Sequence, residues 1–276
     1  MPARSSAAKA IEPGESPILR EDVGNVAVVV LNRPAARNSL SEAVLTALGE
    51  AFTEIAADPK IRAVIVAANG SAFCAGHDLK ELTAHRKGAD RGRAYFKFIM
   101  ETCSAVMQQI VRLPQPVIAC VQGTATAAGC QLVASCDLAV TSSAAKFATP
   151  GVNIGLFCST PMVALSRNVP RKNAMEMLLT GDMISAEEAH RLGLVNRVVA
   201  PGKERSEALA LAAKITAKSA HVLKIGKEAF YRQLEVGLSD AYHYASQVMV
   251  ENMLARDAEE GIGAFIEKRA PKWEDR

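Results

Sequence analysis

Two stretches of this sequence place small residues where a strand runs into a helix: Phe73 to Leu82 (FCAGHDLKEL) and Gly123 to Asp137 (GTATAAGCQLVASCD). A turn of that kind leaves main-chain N–H groups uncovered. Two such groups converging on one oxygen stabilise negative charge that develops there, by ~3 kcal/mol per donor. Thr124 to Ala128 (TATAA) offers only threonine and alanine side chains, so a ligand can come close to the backbone. The helix that contains Gly129 to Cys136 adds the positive end of its dipole. Tight helix–strand packing also calls for small residues, and for either turn alone that plainer reading is favoured; the pair, with its flanks, reverses the preference.

Other chemistries lack their residues. The five histidines, His77, His85, His190, His221 and His243, show no H-E-x-x-H or comparable metal spacing, and no G-x-S-x-G elbow occurs. Gly151 to Gly155 lacks the Gly-Lys-Ser/Thr ending of a phosphate loop. No metal site is expected. The six cysteines, Cys74, Cys103, Cys120, Cys130, Cys136 and Cys158, form no C-x-x-C pair and mostly lie in apolar runs, as buried thiols in a reducing compartment do. Cys158 reads either as a nucleophile or as pocket lining; no base stands beside it in sequence, which favours lining. For the His77 imidazole a structural role outweighs that of a general base. Asp78 and Glu81 suit the organisation of a loop and a first helical turn, and Lys80 reads as a solvent-facing cation able to meet a phosphate.

The elements that must carry these turns alternate. Ala27 to Leu31 (AVVVL), Ile61 to Ala67 (IRAVIVA), Pro116 to Val121 (PVIACV) and Leu138 to Thr141 are apolar, largely β-branched runs, as strands buried on both faces require. Between them, Leu40, Val44, Leu45, Leu48, Phe52 and Ile55 share one helical face, with Ser39 and Glu42 as a capping box and Asp58-Pro59 as the stop. Tyr95 to Leu113 has helical spacing as well. Strands alternating with helices make the fold class α/β. Beyond about residue 160 the pattern turns helical: Pro161 to Asn168, Lys172 to Leu179, Ser185 to Leu192 with a second capping box at Ser185 and Glu188, then three longer segments after Gly202. Gly181 and Gly193 stop two of these helices.

Length and composition bound the rest. A chain of 276 residues with 49% hydrophobic and 22% charged residues is globular, neither disordered nor collagen-like. Lys plus Arg number 32 against 29 Asp plus Glu, with neither sign in a block and aromatics at 5%, so a nucleic-acid partner is not expected. No apolar run approaches the ~20 residues that span a bilayer, and no membrane partner is expected. Residues 1–17 read as a floppy tail without the apolar stretch of a secretory signal, and a cytoplasmic location is expected. The expected organisation is a core over 18–205 followed by a helical oligomerisation region over 206–276.

The two turns, together with Leu31 to Leu40 (LNRPAARNSL), Phe147 to Gly155 (FATPGVNIG), Leu179 to Val199 (LTGDMISAEEAHRLGLVNRVV) and Phe265 to Arg269 (FIEKR), resemble the crotonase, or enoyl-CoA hydratase/isomerase, superfamily over about residues 20–270. The resemblance implies a spiral of ββα units with a C-terminal helical trimerisation region, a homotrimer or dimer of trimers, and an acyl-CoA thioester as partner. No separate cofactor is expected, since coenzyme A enters as part of the substrate. Matched by position, the oxyanion-hole donors are the backbone N–H groups of His77 and Ala128. The coenzyme A contacts fall on Arg33, Ala75, Lys80, Phe265 and Lys268, the last two reaching a neighbouring subunit's ligand.

The two glutamates with which hydratases of this family orient water and shuttle protons fall on Gln131 and Gly151, neither of which can accept a proton at neutral pH. The expectation is therefore a lyase-type protein of fatty-acid or branched acyl metabolism that polarises a thioester carbonyl while hydrating poorly. The alternatives are decarboxylation of a malonyl-type thioester, which the G-H-D turn also resembles, and non-catalytic acyl-CoA binding. Reinstating Glu at both positions is expected to restore hydration.

Overall fold

The computed structural model describes residues 16 to 276, so the expected tail over 1–17 lies outside the described residues except for Ser16 and Pro17. Those two are held by Asn32, whose N–H donates to the Pro17 carbonyl at 2.9 Å. β1 (Ile18–Val23) and β2 (Val26–Leu31) form an antiparallel hairpin that turns at Gly24, where φ is +61°. β2 is buried at every position. α1 (Glu42–Ala57) follows and ends at Asp58 as the sequence predicts. Its cap, however, is Ser41, whose Oγ accepts the Val44 N–H, and not Ser39, whose hydroxyl donates to the Asp78 carboxylate at 3.2 Å. Either serine is chemically fit to cap; a contact to a residue far along the chain decides between them.

The middle of the chain runs β3 (Ala63–Ala68), β4 (Ala72–Cys74), α2 (Leu79–His85), α3 (Arg93–Arg112), β5 (Val117–Val121), β6 (Thr124–Thr126), α4 (Ala128–Ser135), β7 (Leu138–Ser142) and β8 (Lys146–Ala148). A 3-10 turn over Pro150–Ile154 leads to α5 (Pro161–Leu165), α6 (Arg171–Thr180), β9 (Ile184–Ser185), α7 (Ala186–Arg191) and β10 (Arg197–Val199). Four helices close the chain: α8 (Glu204–Thr216), α9 (Ala220–Gln233), α10 (Leu238–Leu254) and α11 (Arg256–Glu267). Ser185 caps α7 by accepting the Glu188 N–H at 3.2 Å, and Gly181 ends α6 at φ +68°.

β3, β5 and β7 are each followed by a three-residue strand, and the strands sort into two sheets. The larger has the order β1-β2-β3-β5-β7-β10, parallel except for the first pair, and the smaller has the order β4-β6-β8-β9, parallel except for the last. This is the spiral of ββα units expected from the family resemblance. Alternation within the larger sheet divides the core. Ala27, Val29 and Leu31 with Val64 and Val66 face α1, α3 and the smaller sheet, while Val26, Val28 and Val30 with Ala63 and Ile65 face Ala208 and Ala212 of α8. Both faces being covered, the strands read as continuous apolar runs.

The later helices are tied to this core by a buried ion pair. Lys227 of α9 donates to the Asp137 carboxylate at 2.7 Å and to the carbonyls of Ile110 and Gln115 at 3.0 Å each, and Tyr231 donates to the other Asp137 oxygen at 2.8 Å.

Candidate functional site

Three strands of the smaller sheet, β4, β6 and β8, run parallel and end side by side at Cys74, Thr126 and Ala148. Their carboxyl ends open into the turn Ala75 to His77, into Ala127 with Ala128, and into Thr149. The carboxyl ends of parallel strands are where an α/β sheet receives ligands.

The first two turns lie against each other. A Cβ on Gly129 would stand 2.1 Å from the Cys74 carbonyl oxygen, and one on Gly76 would stand 2.9 Å from the Ala127 Cβ and 3.4 Å from the Ala128 nitrogen. Glycine is required at both places by this close approach, and Gly76 in addition holds φ +91°. The neighbouring amides are committed: Ala75 N–H to the Arg37 carbonyl at 3.0 Å, Asp78 N–H to Leu40 at 3.2 Å, and Ala127 N–H to Ala148 at 3.0 Å. Among the described residues, the N–H groups of His77 and Ala128 donate to no protein group. Ala128 opens α4, so its N–H lies in the turn that an α-helix leaves without internal partners. Ala127, just before it, has φ 49° and ψ −119°. An alanine held there stores about 1–3 kcal/mol of strain, a condition found where function fixes the backbone.

A polar bracket holds the first turn. Asp78 caps α2, its carboxylate accepting the N–H groups of Lys80 at 3.2 Å and Glu81 at 3.3 Å and pairing with the Arg33 guanidinium at 3.2 Å. Burial works to raise the Asp78 pKa, but the Glu81 N–H, Arg33 and the Ser39 hydroxyl outweigh it and hold the carboxyl below the usual range. Arg33 is thus engaged by Asp78 and by the Ser39 carbonyl at 3.0 Å, while Lys80 is exposed. Asn38, which the sequence reading passed over, takes φ 53° and clamps the same loop. Its Nδ2 donates to the carbonyls of Asn69 and Ala72, both at 2.8 Å, and its Oδ1 accepts the Arg33 N–H at 2.9 Å. An Asn directly before a serine carries no signal of this on its own.

The imidazole of His77 is buried, and neither ring nitrogen makes a hydrogen bond. Burial lowers its pKa, with the Leu40 carbonyl opposing, so the ring is neutral at pH 7. Gln131 stands one turn after Ala128 on α4, 4% exposed, its Oε1 without a partner. Gly151 is buried, and a Cβ there would stand 2.6 Å from the Leu156 carbonyl oxygen and 2.9 Å from the Cys158 Sγ. That corrects the expectation that Glu can be reinstated at both positions: at residue 151 main chain already fills the space. Burial raises the Cys158 pKa against an opposing Gly151 N–H, which leaves it a protonated thiol, and it pushes Cys74, Cys103, Cys120 and Cys130 up to about 12. Thr149, also passed over, is 1% exposed, and its hydroxyl has no partner. Phe265 and Lys268 lie on the outer end of α11, Phe265 being 85% exposed, and neither joins the turns within one chain.

Stacked parallel sheets with two free amides at strand ends define a protein of the crotonase fold. The enoyl-CoA hydratase/isomerase family matches residues 21–276, and the chain belongs to it. It is 52% identical to the rat enoyl-CoA hydratase domain-containing protein 3, mitochondrial, over 89% of this chain and 80% of that relative. With the human protein of that name it is 50% identical, over 89% and 79%. Among solved structures, an enoyl-CoA hydratase of Mycobacterium smegmatis has a TM-score of 0.89 at 53% identity, over 94% of this chain and 99% of that one. Human enoyl-CoA hydratase domain-containing protein 3 has a TM-score of 0.88 at 47% identity, over 93% and 100%.

The naming of these relatives as mitochondrial overturns the expected cytoplasmic location. That expectation rested on a missing secretory stretch, whereas a mitochondrial address is amphipathic and rich in Arg and Ser and needs no such stretch.

Proposed function

We propose that this chain binds an acyl-CoA thioester and polarises its carbonyl between the N–H groups of His77 and Ala128. The observation that carries the reading is the pair of uncommitted amides on two turns packed together through Gly76 and Gly129. As the carbonyl becomes an enolate, charge collects on one oxygen, and preorganised donors there contribute ~3 kcal/mol each. The strain at Ala127 and the bracket of Asp78, Arg33 and Asn38 hold the donors in place before substrate arrives. Lys80, exposed beside the first turn, meets a coenzyme A phosphate. Arg33 acts through Asp78 by fixing the start of α2, and Ala75 lies along the pantetheine arm.

Hydration by this pocket is slow, because Gln131 cannot take a proton and Gly151 has neither a side chain nor room for one. The same observation favours a second reading, loss of CO2 from a malonyl-type thioester. There the bond from C2 to the carboxylate breaks, its electron pair enters the enolate, CO2 departs and water later protonates C2, so no protein base is needed. Exposed apolar residues on the last helices, Phe230, Leu238, Leu254, Phe265 and Ile266 among them, support assembly into trimers or pairs of trimers. In such an assembly Phe265 and Lys268 approach the adenine end of a neighbour's ligand.

Calorimetry with butyryl-CoA, and vibrational spectra of its bound carbonyl, test the proposal. Binding with a carbonyl stretch moved to lower frequency is expected; no binding, or an unshifted stretch, rejects it. Assays with crotonyl-CoA and methylmalonyl-CoA then separate hydration from decarboxylation, and turnover of neither leaves a binding protein.

A further inference from the structure

We propose that the tip of the α2–α3 hairpin is a docking surface for an acidic carrier protein that presents its acyl group as a thioester on a phosphopantetheine arm. The proposal rests on the thioester reading and names a second form in which substrate reaches that site.

Between residues 80 and 97 six cations, Lys80, Arg86, Lys87, Arg91, Arg93 and Lys97, stand against two anions, Glu81 and Asp90, a net charge of +4 where the whole chain carries +3. Neutral residues separate them in the sequence, and folding gathers them. The hairpin closes through His85 stacked on Tyr95 at 3.4 Å and the Arg86 guanidinium 5.1 Å from the centre of the Phe96 ring. A Cβ on Gly92 would stand 3.1 Å from the His85 carbonyl oxygen. Both anions turn to main chain: Asp90 accepts the N–H groups of Gly92 at 2.9 Å and Ala94 at 2.8 Å, and Glu81 accepts that of Glu42 at 3.1 Å. Lys97 pairs with Glu101 at 3.8 Å. Among the described residues, Arg86, Lys87, Arg91 and Arg93 make no ion pair, Asp90 acting on Arg93 only at longer range, and all four are exposed. α3 opens on Arg93 with no acidic residue in its first turn. Cations at that end oppose the helix dipole, so the fold gains nothing from Arg91 and Arg93 there.

Shape and composition select the partner. Every residue from Thr83 to Arg91 is exposed, so the charges project outward, whereas small ligands take concave sites where polar groups converge. No large apolar residue lies between Thr83 and Ala94, which leaves nothing for a lipid bilayer to take up. An extended acidic protein surface complements such a projection. α2 begins directly after the turn that carries the His77 N–H and runs for seven residues, so the tip lies about 10 Å from that amide. The arm of an acyl carrier protein is the pantetheine of coenzyme A itself, and the two amides accept its thioester unchanged.

Calorimetry compares acyl carrier protein loaded with butyryl, butyryl-CoA, and vesicles of phosphatidylglycerol and phosphatidylcholine. The proteins are the wild type, the double variant Lys87→Glu/Arg93→Glu, and a control reversal, Lys203→Glu/Lys214→Glu, on α8 and the turn before it. Lys80, the coenzyme A contact, stays in place. Butyryl carrier protein is expected to bind the wild type, more weakly as salt rises. The hairpin variant should weaken it about tenfold, chiefly through slower association, while butyryl-CoA affinity and thermal melting are kept. The control should bind the carrier like the wild type, which separates a local surface from net charge. Carrier binding that is absent, or equal in the wild type and the hairpin variant, overturns the docking surface and leaves the thioester site standing. Vesicle binding lost in the hairpin variant, without carrier binding, overturns it in favour of a membrane partner. Failure of butyryl-CoA to bind rejects the thioester site; carrier binding that still depends on Lys87 and Arg93 would then uphold the surface and reject delivery to the amides.

Discussion

Ala127 holds a backbone conformation that glycine enters freely and alanine does not. Ala127→Gly should therefore leave stability unchanged or raise it by up to about 1 kcal/mol, relief of strain offsetting the entropy of a freer unfolded chain. Urea unfolding would show it, and a loss well beyond that size would mean that the Ala127 methyl packs usefully against Gly76. His77 contributes its amide and not its ring. With a folded pKa below the unfolded value near ~6.5, the imidazole takes its proton first in the unfolded chain, so stability is full above that pH and declines as pH falls through it. His77→Asn keeps the N–H and should flatten this acid slope while retaining acyl-CoA affinity. Unfolding measured at pH 7.5 and 5.5 checks the sign. Glutamate is isosteric with the amide at Gln131, whereas at Gly151 overpacking against the Leu156 carbonyl should cost about 1–3 kcal/mol. Melting of the two single variants distinguishes them.

At the scale of elements, α2 depends on one carboxylate. Asp78→Ala removes its cap, worth ~1–2 kcal/mol, and leaves the Arg33 guanidinium without its partner. Asp78→Asn keeps the cap and loses the ion pair, so its melting temperature should fall between those of the wild type and the Ala variant. In both, acyl-CoA affinity should drop, because His77 and Lys80 lie on either side of residue 78. The wild-type contribution persists above the ordinary carboxylate range and disappears as pH falls through the depressed folded value. The long elements were legible for physical reasons: β2, β3, β5 and β7 are apolar on both faces, and α1 and α3 carry one apolar stripe. β4, β6, β8 and β9 were not. Each has only two or three residues, too few to display a period, and each exists because a neighbouring strand end is at hand to pair with.

Across the whole molecule, Lys227 fastens the later helices to the core. Lys227→Met leaves Asp137 buried without its counter-charge and should destabilise by about 3–5 kcal/mol, seen as a lowered urea midpoint. The last helix presents Phe265 and Ile266 to solvent, 85% and 72% exposed. Phe265→Asp should shift the protein toward smaller species in light scattering and weaken acyl-CoA binding together, if the neighbour's site is completed there. Loss of one without the other would separate assembly from ligand contact.

Composition and apolar runs determined by themselves the α/β class and the order of the long strands and helices, and the resemblance of the two small-residue turns to the family located the amides. These are local properties, written in side-chain size and spacing. Which serine caps α1, that Asn38 and Arg33 brace the first turn through the Asp78 loop, that residue 151 has no room, and that Thr149 ends beside Ala127 were decided only by tertiary structure. Each depends on atoms brought together from distant parts of the chain, and a residue type carries no record of the neighbour that folding will set against it.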